Sequence, residues 1–501
     1  MSGMTTVQKG QPLNQEEAKS NDIPDSQVSV TVAGAITINV FFDGIGNNMF
    51  NTQARLKQEH TKLADETSYK NYYSNIALLY MASGIKETVR NIYIEGSGTF
   101  KYKGDSTIGL ATSQGESGVY NRVTEAFKKA DEIRIALNAK KIIFNVFGFS
   151  RGAFYACYFF AMAKMSDEEM KSEEEKLKAY IASFSIREEG KEENVDPRTL
   201  TYRYAESGRN RLKLSCNKIS INFVGIYDTV SSHGADHYND VQPFELNIGG
   251  KQGIRKIVHL TAQNEYRNHF PLTHINTAVA DGIGFECSLP GAHSDIGGTY
   301  CDDWHETQYF STYNGAAMSP LKKSGEIHWQ WFVDKGYYQG KPVLKQSSKP
   351  PRGATYTEQL ILTFRAVRKD LTLTEVFANR QFTSNNYQFI PLQIMKEITE
   401  KETAIQFDNP KGYPILTKDI ASIDNYATLV KFRDYAKHYI LSRYTKVGMS
   451  FAVKAADTLS TDEEKQLYHQ FIHNSLDPDS IANDSDERNK GANRIEIHDD
   501  C

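Results

Sequence analysis

The feature that most constrains the fold lies between residues 141 and 160. There the run Lys141-Ile142-Ile143-Phe144-Asn145-Val146-Phe147 leads into Gly148-Phe149-Ser150-Arg151-Gly152 and then into Ala153-Phe154-Tyr155-Ala156-Cys157-Tyr158-Phe159-Phe160. The first run is short, β-branched and aromatic, the character of a strand buried on both faces. A strand, a sharp turn and a helix in that order form a nucleophile elbow. Its glycines are needed because the serine backbone is strained and neighbouring side chains would clash with the strand and helix that pass close by. Ser150 then stands above the sheet, where its hydroxyl meets both a base and a substrate carbonyl, as acyl transfer through a covalent intermediate requires. The five letters alone are a weak signal, and the strand before them supplies the weight. A near match, Gly115-Glu116-Ser117-Gly118, has the wrong spacing and precedes a helix expected over 120–137, so it is set aside.

Further strand-like runs occur at 35–42, 91–95, 219–227 and 284–289, with helical patterns between several of them. Strands alternating with helices predict an α/β fold with a largely parallel sheet. A chain of 501 residues, 40% hydrophobic, buries a sizeable core as either several domains or one large domain with insertions. The expected organisation is a flexible arm over 1–29 and a catalytic domain over 30–310 with a charged helical insertion at about 166–215. A smaller, mainly helical C-terminal region over 311–476, a possible lid or membrane-docking module, and a polar tail over 477–501 complete it. Helical periodicity is read in 371–379, 392–404 and 426–443.

The net charge of −4, from 58 basic and 62 acidic residues, gives no basic field for nucleic acid. The first 30 residues are polar, without the apolar core of a signal peptide, and no stretch of about 18 apolar residues appears. Synthesis in the cytoplasm and export by another route is the expectation. The cysteines Cys157, Cys216, Cys287, Cys301 and Cys501 form no C-x-x-C pair and read as reduced and mostly buried.

A serine nucleophile needs an imidazole base and a carboxylate that fixes the imidazole. Downstream of Ser150, Asp228 ends the run 219–227 and is the best acid, ahead of its reading as a turn or cap carboxylate. His293, in Pro290-Gly291-Ala292-His293-Ser294-Asp295-Ile296-Gly297-Gly298, is the best base. His233 and His237 lie too near Asp228 in sequence to match a strand-separated arrangement, and Asp281 and Asp295 flank His293 as competing acids. The first turn, Asp43-Gly44-Ile45-Gly46-Asn47-Asn48, fails as a dinucleotide fingerprint because Met49 stands where the last glycine belongs. It also lacks the second carboxylate of an aspartyl phosphotransferase, since Ile45 stands there. Two readings stay open: a purely structural turn, or an oxyanion hole in which the Gly44 backbone N–H joins that of Arg151.

Four segments together resemble a known group: Phe41-Phe42-Asp43-Gly44-Ile45-Gly46-Asn47-Asn48, Gly148-Phe149-Ser150-Arg151-Gly152-Ala153, Gly225-Ile226-Tyr227-Asp228-Thr229-Val230 and 290–298. They look like the α/β hydrolases labelled domain of unknown function 2235, whose best understood members are bacterial type VI secretion lipase effectors of the first Tle family. The resemblance spans about residues 36–300, with fainter echoes at Tyr93-Ile94-Glu95-Gly96-Ser97-Gly98-Thr99 and Phe389-Ile390-Pro391-Leu392. It implies an α/β-hydrolase fold with Ser150 as nucleophile, His293 as base and Asp228 orienting the base, in agreement with the residue reading. It also implies phospholipase A activity on membrane phospholipid, delivery to a competitor's periplasm, and a cognate immunity protein and a secretion spike protein as partners. Ile45 departs from the family pattern, which often has Thr there, so any hydroxyl contact at that position is lost.

No cofactor or metal is needed by such a scheme, although calcium for lipid presentation or at Asp302-Asp303 stays open. The aromatic cluster His328-Trp329-Gln330-Trp331-Phe332 with Tyr337-Tyr338 is a candidate for a membrane interface or, more commonly for such stripes, core. Two alternatives remain: a soluble carboxylesterase or acyltransferase with the same triad, and a catalytically silent binding module that keeps the fold.

Overall fold

The computed structural model describes residues 34–112, 116–166, 218–231, 254–267, 270–302, 304–314, 329–341, 343–347, 359–368, 371–407, 414–446, 450–475 and 496–497, with positions 168, 212 and 214. The arm over 1–29, nearly all of the charged insertion, most of the tail, His233 and His237 fall outside them. In chain order the strands are β1 (Ala35–Phe42), β2 (Val89–Ile94), β3 (Lys141–Phe149), β4 (Ile219–Tyr227), β5 (Ile257–Ala262), β6 (Leu272–Thr273) and β7 (Gly284–Leu289). Then come β8 (Trp304–Asn314), β9 (Val343–Ser347), β10 (Gln359–Arg368), β11 (Leu371–Thr383), β12 (Ser450–Ala452) and β13 (Glu496–Ile497).

Seven strands form the central sheet in the order β12-β7-β5-β4-β3-β1-β2, each parallel to its neighbour. Because successive side chains alternate between faces, β1 sends Ile36, Ile38, Val40 and Phe42 to one core and Phe41 to the other. The helices Val119–Ala136 and Arg151–Lys164 cover the first face, where Phe127 stacks on Phe159 at 4.4 Å. Helices Asn75–Ala82, Phe389–Glu402 and Ala427–Leu441 cover the second. The helix after Ser150 is buried at all but its last residue, which explains why its apolar residues run right round it rather than along one stripe. Cys157, within it, is disulfide-bonded, against the expectation of reduced cysteines, whereas Cys287 and Cys301 are free thiols.

The C-terminal region differs from the helical expectation. Its helices are there, but β8, β11, β10 and β9 build a second, four-stranded sheet, and the expected boundary at 310 falls inside β8. Residues 371–379, read as helical, belong to β11. The alternation Leu371-Thr372-Leu373-Thr374 and its β-branched residues favour a strand, and antiparallel pairing with β10 decides the matter. Through β12 the region also adds an edge strand to the central sheet. The aromatic cluster is core: Trp329, Phe332, Tyr337 and Tyr338 are buried, with Trp329 stacked on Tyr338 at 4.4 Å, so these rings form no membrane-docking face.

A polar line crosses this apolar sheet. Asn39 donates to Asn91 (2.8 Å), Asn145 to Asn39 (2.8 Å), and Asn222 to Asn145 (2.9 Å), joining β2, β1, β3 and β4. Arg255 Nε caps the line on Asn222 Oδ1 at 2.8 Å. Asn222 sits where the β3–β4 register shifts between Phe144/Ile221 and Asn145/Phe223, so the ladder and the bulge are one device. Replacing central Asn145 with Leu strands the Asn39 carbonyl and the Asn222 amide. At about 1–3 kcal/mol for each unsatisfied group, Asn145→Leu should lower stability by about 2–6 kcal/mol, read as a shift in the urea midpoint. A midpoint unchanged from wild type would show the ladder to be energetically idle.

Candidate active site

Ser150 follows β3 directly and takes φ 59° and ψ −128°, a left-handed conformation that a non-glycine residue holds only when its surroundings enforce it. Its N–H donates to Tyr227 O (3.0 Å) and its carbonyl accepts from Val230 N–H (3.3 Å), so the end of β4 clamps the elbow from both sides. A Cβ on Gly148 would lie 2.4 Å from Gly152 O, and one on Gly152 would lie 2.4 Å from both Phe42 O and Asp43 O. Both glycines of the pentapeptide are therefore required by backbone contact.

Asp228, the residue after β4, is also left-handed, with φ 43°. Its N–H donates to Leu260 O (2.8 Å) and its Oδ1 accepts from Ala262 N–H (2.8 Å), which leaves Oδ2 for His293 Nδ1 at 2.5 Å. Such a short contact is characteristic of a charge-assisted bond. His293 opens the short helix His293–Gly297 just past β7, and its ring lies between Phe149 (4.6 Å) and Phe270 (5.0 Å). Burial lowers its pKa, while the hydrogen bond and charge of Asp228 pull it the other way. Ser150 Oγ and His293 Nε2, the atoms a proton transfer would join, are both buried, and neither hydrogen-bonds to any described residue. The structure thus brings the predicted acid and base into contact beside a strained serine. The contact that completes such a set often tightens only with substrate.

Several residues of this site were not anticipated. Buried Glu265 accepts the His293 backbone N–H (3.3 Å) and a fork from Arg267 (2.9 Å for each bond), and the Arg267 guanidinium lies 3.5 Å over the Phe270 ring. Arg267, Phe270, His293 and Phe149 thus form a continuous row of contacts, with Phe270 edge-on to the imidazole. Glu265 follows β5, a strand not read from the sequence because His259 and Thr261 interrupt its apolar run. His259 belongs to a second buried network: its Nδ1 meets Glu286 Oε2 (2.9 Å), and its Nε2 accepts from Thr229 N–H (3.1 Å), the residue after Asp228. Against the cost of burial, hydrogen bonds from His259 and His274 hold Glu286 down at about 2.

The first turn corrects one expectation. The Gly44 N–H, expected as an oxyanion donor, is given to Asp43 Oδ1 at 2.8 Å, because an aspartate readily folds back onto nearby backbone N–H groups. Asp43 Oδ2 accepts from Tyr93 Oη (2.6 Å), and burial pushes the carboxyl up to about 6. Gly44 is glycine for space, since a Cβ there would lie 2.7 Å from the Phe149 ring. Arg151, the other expected donor, is the first residue of the elbow helix, where backbone N–H groups have no partner within the helix. Its buried guanidinium is lowered to about 10, mainly by desolvation. The echo at 93–99 is the partner of this turn: Gly96 N–H donates to Asn47 O (3.0 Å) and Gly46 N–H to Ser97 O (3.0 Å). Of the competing acids, Asp281 is exposed beyond a short helix and Asp295 binds His473 rather than His293. Asp302 accepts from Ser384 Oγ (3.0 Å), and Asp303 lies outside the described residues.

No curated protein matches the chain by sequence. Among solved structures it is similar to the Tle1 effector bound to the VgrG spike of the type VI secretion system, with 18% identity, 88% of this chain and 84% of that chain covered, and a TM-score of 0.51. At that identity the likeness supports the fold: an α/β-hydrolase-like, largely parallel sheet. A crystal structure of an uncharacterised protein from Pseudomonas aeruginosa aligns at 20% identity over 53% of this chain and 42% of that one, with a TM-score of 0.28, too low to add to the comparison. The family model for the catalytic domain of Tle1-like type VI secretion phospholipase effectors matches residues 37–335, which include Ser150, Asp228 and His293, and the chain belongs to that family.

Proposed function

We propose that the chain is a serine phospholipase A that cleaves ester bonds of membrane glycerophospholipids. The observation that carries this reading is the 2.5 Å Asp228–His293 contact beside a serine held at positive φ, within a domain of the phospholipase effector family. Ser150 Oγ attacks the ester carbonyl while His293 Nε2 takes its proton. Asp228 fixes the Nδ1–H tautomer and stabilises the imidazolium. The proton passes to the leaving lysolipid alkoxide, and a water activated by the same imidazole then releases the fatty acid and regenerates the serine. The developing oxyanion is assigned to the Arg151 N–H at the head of the elbow helix. No step calls on a metal ion. Family membership and the spike-bound neighbour support an antibacterial effector carried on a secretion spike protein, acting in a competitor's periplasm and neutralised by a cognate immunity protein.

Fatty-acid release from phospholipid vesicles should disappear in Ser150→Ala with the fold intact; sustained release by that variant would remove Ser150 from the mechanism. Asp228→Asn should lower kcat roughly a thousandfold or more through the wrong imidazole tautomer, measured on the same vesicles. Short soluble esters cleaved in preference to vesicles would instead favour a carboxylesterase. The base must be neutral to work, and burial lowers the His293 pKa. The acid limb of kcat/KM should therefore fall below the ordinary imidazole value of about 6.5. An acid limb at or above that value would count against His293 as the base.

A further inference from the structure

The catalytic histidine loop is held from far along the chain. Two buried carboxylates bracket His293: Glu265 Oε2 takes its backbone N–H (3.3 Å), and Asp295 Oδ2 takes the N–H of Ala292 (2.9 Å). Each is itself gripped by residues just past the helix Thr461–Gln470. His473 N–H donates to the same Asp295 Oδ2 at 2.9 Å, and His473 Nδ1 lies 2.7 Å from Asp295 Oδ1. Ser475 Oγ donates to Glu265 Oε1 at 2.7 Å and accepts from Tyr266 N–H at 3.4 Å.

The helix before this segment is fixed at its start by a capping box, in which Ser460 and Glu463 bond each other's backbone N–H. Its end is tied down by Ser384 N–H donating to Gln470 O (2.9 Å). Phe471 packs edge-on against Tyr426 at 4.9 Å, and the His473 ring stacks on Tyr300 at 3.7 Å. His473 and Ser475 are both buried. An ordinary packing contact between two regions would use apolar side chains, because burying an imidazole, a hydroxyl and two carboxylates is costly, and here His473 Nε2 has no hydrogen-bond partner among the described residues. Here the partners are those whose oxygens set the backbone at 292 and 293.

We infer that residues 471–475 are a strap that holds the His293 loop in its working position, with His473 and Ser475 as positioning residues that act through Asp295 and Glu265. The inference rests on His293 being the base. It extends the catalytic unit well past the matched span of 37–335. Without the His473 imidazole, Asp295 keeps its Oδ2 bonds to the backbone N–H groups of Ala292 and residue 473 but loses the one donor on Oδ1 that fixes the direction of its carboxylate. The His293 ring then drifts relative to Ser150 while substrate binding is unaffected.

The test uses the full chain with His473→Ala, His473→Asn and Ser475→Ala, assayed on phospholipid vesicles beside wild type and Ser150→Ala. The Asn amide reproduces the Nδ1–H donor. His473→Ala should lose about 10–100-fold in kcat with KM within about twofold of wild type. His473→Asn should recover most of that loss, and Ser475→Ala should lose about 3–10-fold. The downfield proton resonance of the His293–Asp228 bond should broaden or shift in His473→Ala and return in His473→Asn. Wild-type kcat and an unshifted resonance in a folded His473→Ala would overturn the strap. So would equal loss in the Ala and Asn variants accompanied by a common drop in melting temperature. If His473→Ala does not fold, Ser475→Ala carries the decision: an unchanged kcat there refutes the proposal. Failure of the underlying reading looks different, since wild type would then be inactive or Ser150→Ala active.

Discussion

Backbone touches backbone at the head of the sheet with no side chain between, and the rest of the site is built on that contact. Gly152 lies on the carbonyls of Phe42 and Asp43, and a Cβ on Gly96 would fall 1.8 Å from Gly44 O. The ends of β1, β2 and β3 are thereby locked together at one level. Within that lock Ser150 has nowhere to relax, and its positive φ becomes a property of the surroundings rather than of the residue. From the histidine side Gly297 lies equally close, but against a side chain: a Cβ there would fall 1.9 Å from the Phe149 ring. Phe149 is thus pressed between the turn after β1 and the His293 helix, and it sets the distance between them.

The acid–base half is built with different means. Asp228 is held by two backbone bonds from β5, so the carboxylate that orients His293 is itself oriented by main chain, the least mobile partner available. Around the imidazole, aromatic faces and the Arg267–Glu265 pair replace water. Desolvation lowers the pKa of the ring, and the hydrogen bond and charge of Asp228 oppose that shift. Asp43, pushed up to about 6 by burial, is satisfied by hydrogen bonds from Ser74, Tyr93 and the Gly44 N–H.

The segments legible in the sequence were those with a local signature. β1, β3, β4 and β7 are largely apolar runs with isolated polar letters such as Asn39, Asn145, Asn222 and Glu286, and the elbow, Asp228 and His293 each sit where such a run ends. β5 was hidden because His259 faces a buried carboxylate instead of lipid-like core, so its polar letter broke the pattern. Glu265 and His473 were invisible for a deeper reason: each works through a partner distant in sequence, and nothing in their neighbours announces it. The turn after β1 was half read. Its glycines were expected to expose N–H groups, but the aspartate ahead of them takes the first, and the glycines serve close approach. In the C-terminal region, a helical period is read into 371–379, which belong to β11, where strand partners outweigh local preference.

The asparagine line across β2, β1, β3 and β4 bears on how a chain like this can change. Each amide both gives and takes, so no single position can become apolar without leaving a neighbour wanting. The four positions therefore form one coupled unit, in which an apolar residue at one calls for apolar residues at the others. Together with the glycine contacts at the head of the sheet and the buried apolar pattern, the row sets register and acts as a ruler. It fixes how far each strand travels before its carboxyl end emerges, and with that the level at which serine and aspartate face each other.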